Sequence, residues 1–330
     1  MTIVYVIISD LRDYIVEQAL ISMHSLRMYN PDVHISAVMD NETHSGLKGS
    51  RALIKSYIDN LIISPIPEGL NNTQKSRFLK TSLREIVTGD FLYLDTDTII
   101  VDNISELQDL PFDVAAVANM HRYDWNTENP HPMTIDYLKV VPKERKSELK
   151  FTTYFNGGVI LAKDTPSAHS FFRKWNELWI KDSKEFGFYK DQISMWQANF
   201  LLGNIVKELD HAYNCQMVYP VFALKYFDNA KILHYFSSTK LANHLTFNDP
   251  EFLKKIREYG VKEDVERYVK EFKKSYKHFL IRTIENALID YRIEQTPMCF
   301  LGKKISQQFP GLNKPVQSLI KIFISIKKHF

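Results

Sequence analysis

The first hundred residues alternate short apolar runs with longer amphipathic stretches. Ile3–Ile8 is uninterrupted apolar sequence and predicts a buried strand. Tyr14–Met28 carries apolar residues at helical spacing and closes at Asn30-Pro31, which predicts a helix. Val33–Met39 predicts a second strand ending in Asp40, and Leu61–Ile63 a short third, stopped by Ser64-Pro65. Thr73 can cap a helix running to about Val87. Gly89-Asp90 then turns the chain into a strand over Phe91–Leu94. The pattern breaks at Asp95-Thr96-Asp97 and resumes over Ile99–Val101. Strands alternating with helices predict βαβ units, hence an α/β fold with a mixed, mainly parallel sheet flanked by helices. Ligands of such sheets sit at the carboxyl ends of strands. Ser9-Asp10, Asp40 and Asp95-Asp97 all fall at such ends.

Further along, Val114–Ala118 predicts a strand and Asn119–Lys150, polar and proline-containing, an irregular surface excursion suited to substrate loops. Phe155-Asn156-Gly157-Gly158 is a glycine-led turn into a strand ending at Ala162. Ser167–Lys181 predicts a helix with a Phe171, Trp175, Leu178 stripe; Asp191-Gln192 opens another, and Lys231–Tyr235 is a short strand containing His234. After Asp249 the pattern turns helical and charged, with helices over Pro250–Tyr259 and Lys262–Ile289. A last helix begins at Pro315, a residue suited to a first helical position. Val316, Leu319, Ile320, Phe323, Ile326 and Phe330 form one face of it, opposite Gln317, Lys321, Lys328 and His329. The domain expectation is a catalytic unit over 1–248 and a helical, basic C-terminal extension over 249–330.

Composition adds little until charge is mapped. With 330 residues, 45% hydrophobic, the chain can bury a large core. Cys215 and Cys299 match no metal or redox spacing, which suits unpaired thiols in a reducing compartment. The first residues lack the basic lead of a signal peptide and read as a core strand. No apolar run reaches the ~20 residues of a membrane span. The net charge is +3, yet residues 249–330 hold 17 Lys and Arg against 10 Asp and Glu, a net of +7, which leaves −4 for the rest. A basic tail beside a mildly acidic body points to an anionic partner surface, and segment 314–330 to an interfacial helix on a membrane. A helix packed on the protein or on a second copy competes with that reading. Nucleic acid is not expected, because no aromatic–basic platform appears.

The candidate chemistry begins with Asp95 and Asp97. Two carboxylates so close repel unless a cation sits between them, and hard oxygen ligands suit Mg²⁺ or Mn²⁺. A capped turn of solvated acids is the plainer alternative. Asp-x-Asp-x-Thr after an apolar strand also resembles the haloacid-dehalogenase phosphatases, with Asp95 as nucleophile. Gly157 and Gly158 allow close backbone approach to a ligand, though an ordinary tight turn would use them too. His234 is by itself equally a packed residue. With Lys240 six residues on, it could hold a diphosphate from two sides.

Tyr93-Leu94-Asp95-Thr96-Asp97, Phe155-Asn156-Gly157-Gly158-Val159, Asp191-Gln192 and His234-Tyr235-Phe236-Ser237-Ser238-Thr239-Lys240 occur in that order. The ordered set resembles the GT-A glycosyltransferases, and within them the retaining family of bacterial lipopolysaccharide galactosyl- and glucosyltransferases and glycogenin. Ser237 stands where that family has glycine, Leu241-Ala242 where it has Pro-Trp, and the Asp10-to-Tyr14 spacing is one residue longer. The resemblance implies Asp95, Asp97 and His234 as ligands of Mn²⁺ (or Mg²⁺) bridging the diphosphate of a nucleotide-sugar, usually a UDP-sugar. It implies Lys240 on that diphosphate, Asn156, Gly157 and Gly158 along the donor sugar, and Asp191 and Gln192 as the catalytic pair. Asp10 and Tyr14 would hold base and ribose; Arg77, Lys80 and Thr96 complete the donor side. It further implies a glycan or lipid-linked acceptor, action in the cytoplasm or on the inner face of the membrane, and a role in surface polysaccharide synthesis. A non-catalytic nucleotide-sugar binding protein is the remaining alternative.

Overall fold

The structure is a computed structural model describing residues 1–122, 134–140, 143, 153–218, 220–238, 245–294 and 296. Its strands are β1 (Thr2–Val6), β2 (His34–Met39), β3 (Asn60–Ile63), β4 (Phe91–Leu94), β5 (Thr98–Ile100), β6 (Val114–Ala118), β7 (Phe155–Ala162), β8 (Val206–Glu208), β9 (Cys215–Gln216) and β10 (Ile232–His234). The helices are α1 (Ile15–Tyr29), α2 (Asn41–Ser45), α3 (Asn72–Thr81), α4 (Leu83–Ile86), α5 (Ile135–Val140), α6 (Pro166–Phe186), α7 (Asp191–Leu201), α8 (Pro220–Phe227), α9 (Pro250–Tyr259) and α10 (Glu263–Glu294). Seven strands form one sheet in the order β3-β2-β1-β4-β7-β6-β8, and β5-β10-β9 form a small second one. The large sheet is parallel except where β7 runs against β4 and β6. Every residue of β4, β6 and β7 is buried, as expected of strands covered on both faces.

The exception matters most for the site. Because β7 is antiparallel to β4, its first residues lie at the carboxyl end of β4. Leu94 pairs with Val159, and the Asp95 N–H donates to the Gly158 carbonyl at 2.8 Å. Hence Asn156-Gly157-Gly158 is not a turn leading into a strand, as the glycines suggest. All three residues are strand, and neither glycine has positive φ. The glycines serve close approach instead.

Several local expectations shift for identifiable reasons. Asn71, not Thr73, caps α3: its side chain accepts from Gln74 N–H at 3.0 Å, while Gln74 Oε1 accepts from Asn71 N–H at 2.9 Å. The single helix expected to Val87 breaks at Ser82 into α3 and α4. Just before the break, the Thr81 hydroxyl donates to the carbonyls of Arg77 and Phe78, a back-bond that bends helices. Within the segment expected to be irregular, α5 buries Tyr137 against Phe186 and Phe188. The rest of 123–152 lies largely outside the described residues, as do Lys240, Cys299 and segment 314–330.

The main core fills the face of the large sheet covered by α3, α4 and α6, with Phe171, Phe172 and Trp175 packed on Phe91 and Tyr93. Helix α6 is well bounded: Thr165 caps it, Pro166 opens it, and Gly187 at φ 66° ends it in the left-handed region. The chain divides into two compact units, Met1–Ser275 and Tyr276–Phe330. Helix α9 belongs to the first, where it packs on α1. Cys215 is buried and free. Among the described residues no helix is long and apolar enough to cross a membrane.

Trp175 joins this core to the carboxyl edge of the sheet, because its indole N–H donates to the Asp191 carbonyl at 2.7 Å. Truncating a fully buried aromatic of this size costs roughly 3–5 kcal/mol. Trp175→Ala should lose about that much in urea denaturation, and a loss under about 1 kcal/mol would contradict this account of the core.

Candidate functional site

Residues from β4, β7, α7 and β10 meet at the carboxyl edge of β4. Asp95 follows β4 directly. Its Oδ1 accepts a short hydrogen bond from the Tyr93 hydroxyl and lies 3.4 Å from Lys80 Nζ. Asp97 is reached from the small sheet, where the Tyr235 N–H donates to its carbonyl. His234, at the end of β10, places Nε2 3.2 Å from Asp97 Oδ1 and 3.8 Å from Asp95 Oδ2. One ligand atom from each of the three lies within 4.8 Å of the others.

The hydrogen-bond chain behind His234 determines which nitrogen faces the acids. Asn214 donates through Nδ2 to Asn156 Oδ1 at 2.9 Å, so its Oδ1 is the acceptor for His234 Nδ1 at 3.1 Å. His234 therefore carries its proton on Nδ1 and turns the Nε2 lone pair of its neutral form toward two carboxylates. Lone pairs converging without a donor between them fit a divalent cation, and the mixed oxygen–nitrogen set suits Mn²⁺ or Mg²⁺. Asp97 is prepared as a ligand too. Burial would raise its carboxyl, and the Ser237 N–H and hydroxyl, both donating to Oδ2, favour the carboxylate against that. The chain reaches Asp97 by a left-handed turn at Phe236, φ 53°, whose ring stacks on His234 at 3.9 Å.

Gly158 makes the approach of His234 geometrically available. A Cβ there would lie 2.2 Å from His234 Cε1. One residue earlier on the opposite face of β7, a Cβ at Gly157 would meet Lys80 Nζ at 3.2 Å and Asp191 Oδ2 at 3.5 Å. Alternation along the strand thus points one glycine at the imidazole and the other at the second charged group.

That second group is Lys80, Asp191 and Arg77. Asp191, buried at the start of α7, has Oδ2 2.9 Å from Lys80 Nζ and Oδ1 3.1 Å from Arg77 Nε. Desolvation opposes its ionisation, yet Lys80 and Arg77 outweigh it and lower its pKa. Lys80 is itself buried and bridges Asp191 to Asp95. Three carboxylates, Asp95, Asp97 and Asp191, thus face two fixed cations, Lys80 and Arg77, and the site retains an appetite for positive charge. Gln192 donates to the Phe155 carbonyl at 3.1 Å and to Asn119 Oδ1 at 3.2 Å. Asn156 Nδ2 donates to the same Asn119 oxygen, so an amide chain joins His234 to Gln192 through Asn214, Asn156 and Asn119.

A cavity of about 360 Å³ opens from Asp95, Thr96 and Asp97 past Arg77, Ser76 and Thr73 to Asp13 and Ile15, with Ser237 and Ser238 on the other side. Asp10 and Tyr14 are not among its lining residues. Asp10 stands beside it, bonded to Asn72 and to Arg12, whose guanidinium draws its carboxyl down to about 2. Asp13 lines the cavity in its place and accepts from the Ser9 hydroxyl and the N–H groups of Asp10 and Ile15. Asp13, Asn119, Asn214 and Ser237 escape sequence reasoning, being short polar residues with no distinctive spacing.

The profile of the family described as glycosyl transferase family 8 matches residues 6–241. No curated protein matches the chain. Among solved structures, the galactosyltransferase LgtC in complex with donor and acceptor sugar analogues aligns at a TM-score of 0.52 and 16% identity, over 80% of this chain and 98% of its own. The bifunctional glycosyltransferase WbbM in its apo form aligns at 0.51 and 13% identity, over 78% of this chain and 51% of its own. At such identities the likeness speaks for the fold, which is the expected GT-A arrangement.

The two glycines separate experimentally. Gly158→Ala forces His234 away and should weaken Mn²⁺ binding, measured by electron paramagnetic resonance titration, by about 10- to 100-fold. Gly157→Ala meets Lys80 and Asp191 at 3.2 Å or more and none of the three proposed ligands, so it should leave Mn²⁺ affinity nearly unchanged; equal losses in both would disprove His234 as a ligand.

Proposed function

The chain belongs to glycosyl transferase family 8 and is a glycosyltransferase, and from that premise we propose that it transfers a hexose from a UDP-sugar, with divalent metal and with retention of anomeric configuration, to a glycan or lipid-linked acceptor. The observation that carries this reading is the convergence of Asp95, Asp97 and the Nε2 of His234 beside a cavity of about 360 Å³ that both acids line. The family match does not favour the phosphatase alternative, and in this reading Asp95 is a metal ligand, not a nucleophile.

Glycosyl transfer from a nucleotide-sugar breaks a C–O bond while negative charge builds on the departing diphosphate. Asp95, Asp97 and His234 would hold a divalent cation, which when bound would supply positive charge for that leaving group. The protein's own residues do the rest. Arg77 stands at the cavity wall and offers a charged, forked donor for phosphate or sugar oxygens. Lys80 favours the carboxylate form of Asp191 and lies 3.4 Å from Asp95, outside the cavity lining. Asp191, held from two sides by cations, is a fixed acceptor for a sugar hydroxyl. Gln192 uses its amide N–H groups on Phe155 and Asn119, so its Oε1 is the group offered to the reacting sugar. Asn156, Gly157 and Gly158 form the floor beneath that sugar, with Thr96 between the two metal-binding acids. Lys240 completes the diphosphate contacts. Asp10 and Tyr14 act at the base and ribose end, next to Asp13.

A cytoplasmic enzyme of surface polysaccharide synthesis meets its acceptor at the membrane, which suits the basic, amphipathic sequence of 314–330. The full chain should float with anionic liposomes, and a chain lacking 314–330 should not; equal flotation removes the membrane from the proposal.

Incubating the protein with UDP-sugars and Mn²⁺ should release UDP from at least one of them. Chelation by EDTA and Asp97→Ala should each abolish that release. Full activity in Asp97→Ala would refute the metal assignment.

A further inference from the structure

The matched family region ends at residue 241, yet the walls of the donor cavity are tied from beyond it. Glu17, on α1, is completely buried. Two guanidinium groups grip it: Arg51 by Nε and Nη2 at 2.7 and 3.0 Å, and Arg257, on α9, by Nε and Nη2 at 2.8 and 3.0 Å. Both guanidinium groups also donate to the loop between β1 and α1. Arg51 donates to the carbonyls of Asp10 and Asp13 and to the Ser9 hydroxyl. Arg257 donates to the carbonyls of Leu11 and Asp13 and lies 4.4 Å over the ring of Tyr14. Four consecutive loop residues, Leu11 to Tyr14, are thus bracketed by contacts to one α9 side chain.

A second tie comes from the same segment. Asn248 accepts from Gln18 Nε2 at 3.1 Å and donates to the Ser237 carbonyl at 2.9 Å. Ser237 lines the cavity opposite Asp13 and bonds Asp97. The stretch from Asn248 to Arg257 therefore holds both walls at once, one through α1 and its loop, the other through the turn that supports the metal ligand.

We propose that Arg257 is a positioning residue for the nucleotide: it holds the loop that carries Asp13 into the cavity lining, so the segment after the family region supports the donor site. The inference rests on the nucleotide-sugar reading above. The physical reason is preorganisation. A loop whose carbonyls and aromatic ring are already fixed does not have to be ordered by the ligand, and that ordering would otherwise be subtracted from affinity. Lysine cannot substitute, because one ammonium cannot grip Glu17 bidentately, reach two carbonyls and lie flat on Tyr14.

The test is isothermal titration of the full chain with Mn²⁺ alone and with UDP in the presence of Mn²⁺. Arg257→Lys keeps a cation beside Glu17 and should fold; Arg257→Ala removes the whole group. Both should weaken UDP binding about tenfold, the scale of a lost supporting contact, with Mn²⁺ affinity unchanged. Added guanidinium below denaturing concentration should restore UDP binding to Arg257→Ala. If the wild-type chain binds UDP and Arg257→Lys binds it equally well, the inference falls alone. It also falls if Mn²⁺ and UDP affinities drop together in Arg257→Lys, since that marks a general structural role. A wild-type chain that binds Mn²⁺ but no UDP overturns the donor reading, and this inference with it.

Discussion

The site depends on one close approach: the imidazole of His234 occupies the space where any side chain at position 158 would begin. Packing in a protein interior leaves no slack for a clash of that size. Everything else at the metal end follows from it. β7 must run antiparallel to β4, so that its glycines reach the carboxyl edge. β10 must end beside β5, so that His234 arrives next to Asp97. Phe236 must turn left-handed, so that Ser237 can face the second oxygen of Asp97. The two sheets share no strand pairing, and Gln216 and Asn214 tie the small one to β6 and β7 of the large one.

Charge compensation is the second organising theme. Asp191 and Lys80 are both buried, which is costly for either alone and tolerable for a pair with further partners. Lys80 reaches Asp95 as well, so the metal end and the sugar end of the site share one buried cation. Neutral amides provide the parallel link. Asn214 and Asn156 relay hydrogen bonds in one direction from His234 to Asn119, whose Oδ1 accepts from Asn156 on one side and from Gln192 on the other. A networked site of this kind is stiff, as a transferase needs if its charged groups are to meet a developing leaving group without reorganising.

Much of this was legible in the chain. The alternation of apolar runs located β1, β2, β4, β6 and α6 within a few residues, because strand and helix periods are local properties. The order of the four motifs identified the fold and pointed to Asp95, Asp97 and His234, which the structure brings together, because acids and histidine are conspicuous against apolar strands. Capping at Asn71 and the break at Ser82 were less legible, since several residues of similar propensity compete over a few positions. Gly157 and Gly158 suit either a turn or close approach to a ligand from sequence alone; here their lack of a side chain admits His234 and Lys80.

By itself the sequence determined the βαβ order, the two acids at a strand end and the family likeness, all of which depend on residues near one another in the chain. Only the tertiary structure decided which neutral residues belong to the site. Asn214 and Ser237 carry no charge and no period, and they matter because they meet His234 and Asp97 from 20 and 140 residues away in the chain. Arg257 looked like one more cation on a basic extension. Its partners, Glu17 and the loop carbonyls, lie more than two hundred residues earlier, and hydrogen bonds over that separation are set by how helices pack, which no local pattern encodes.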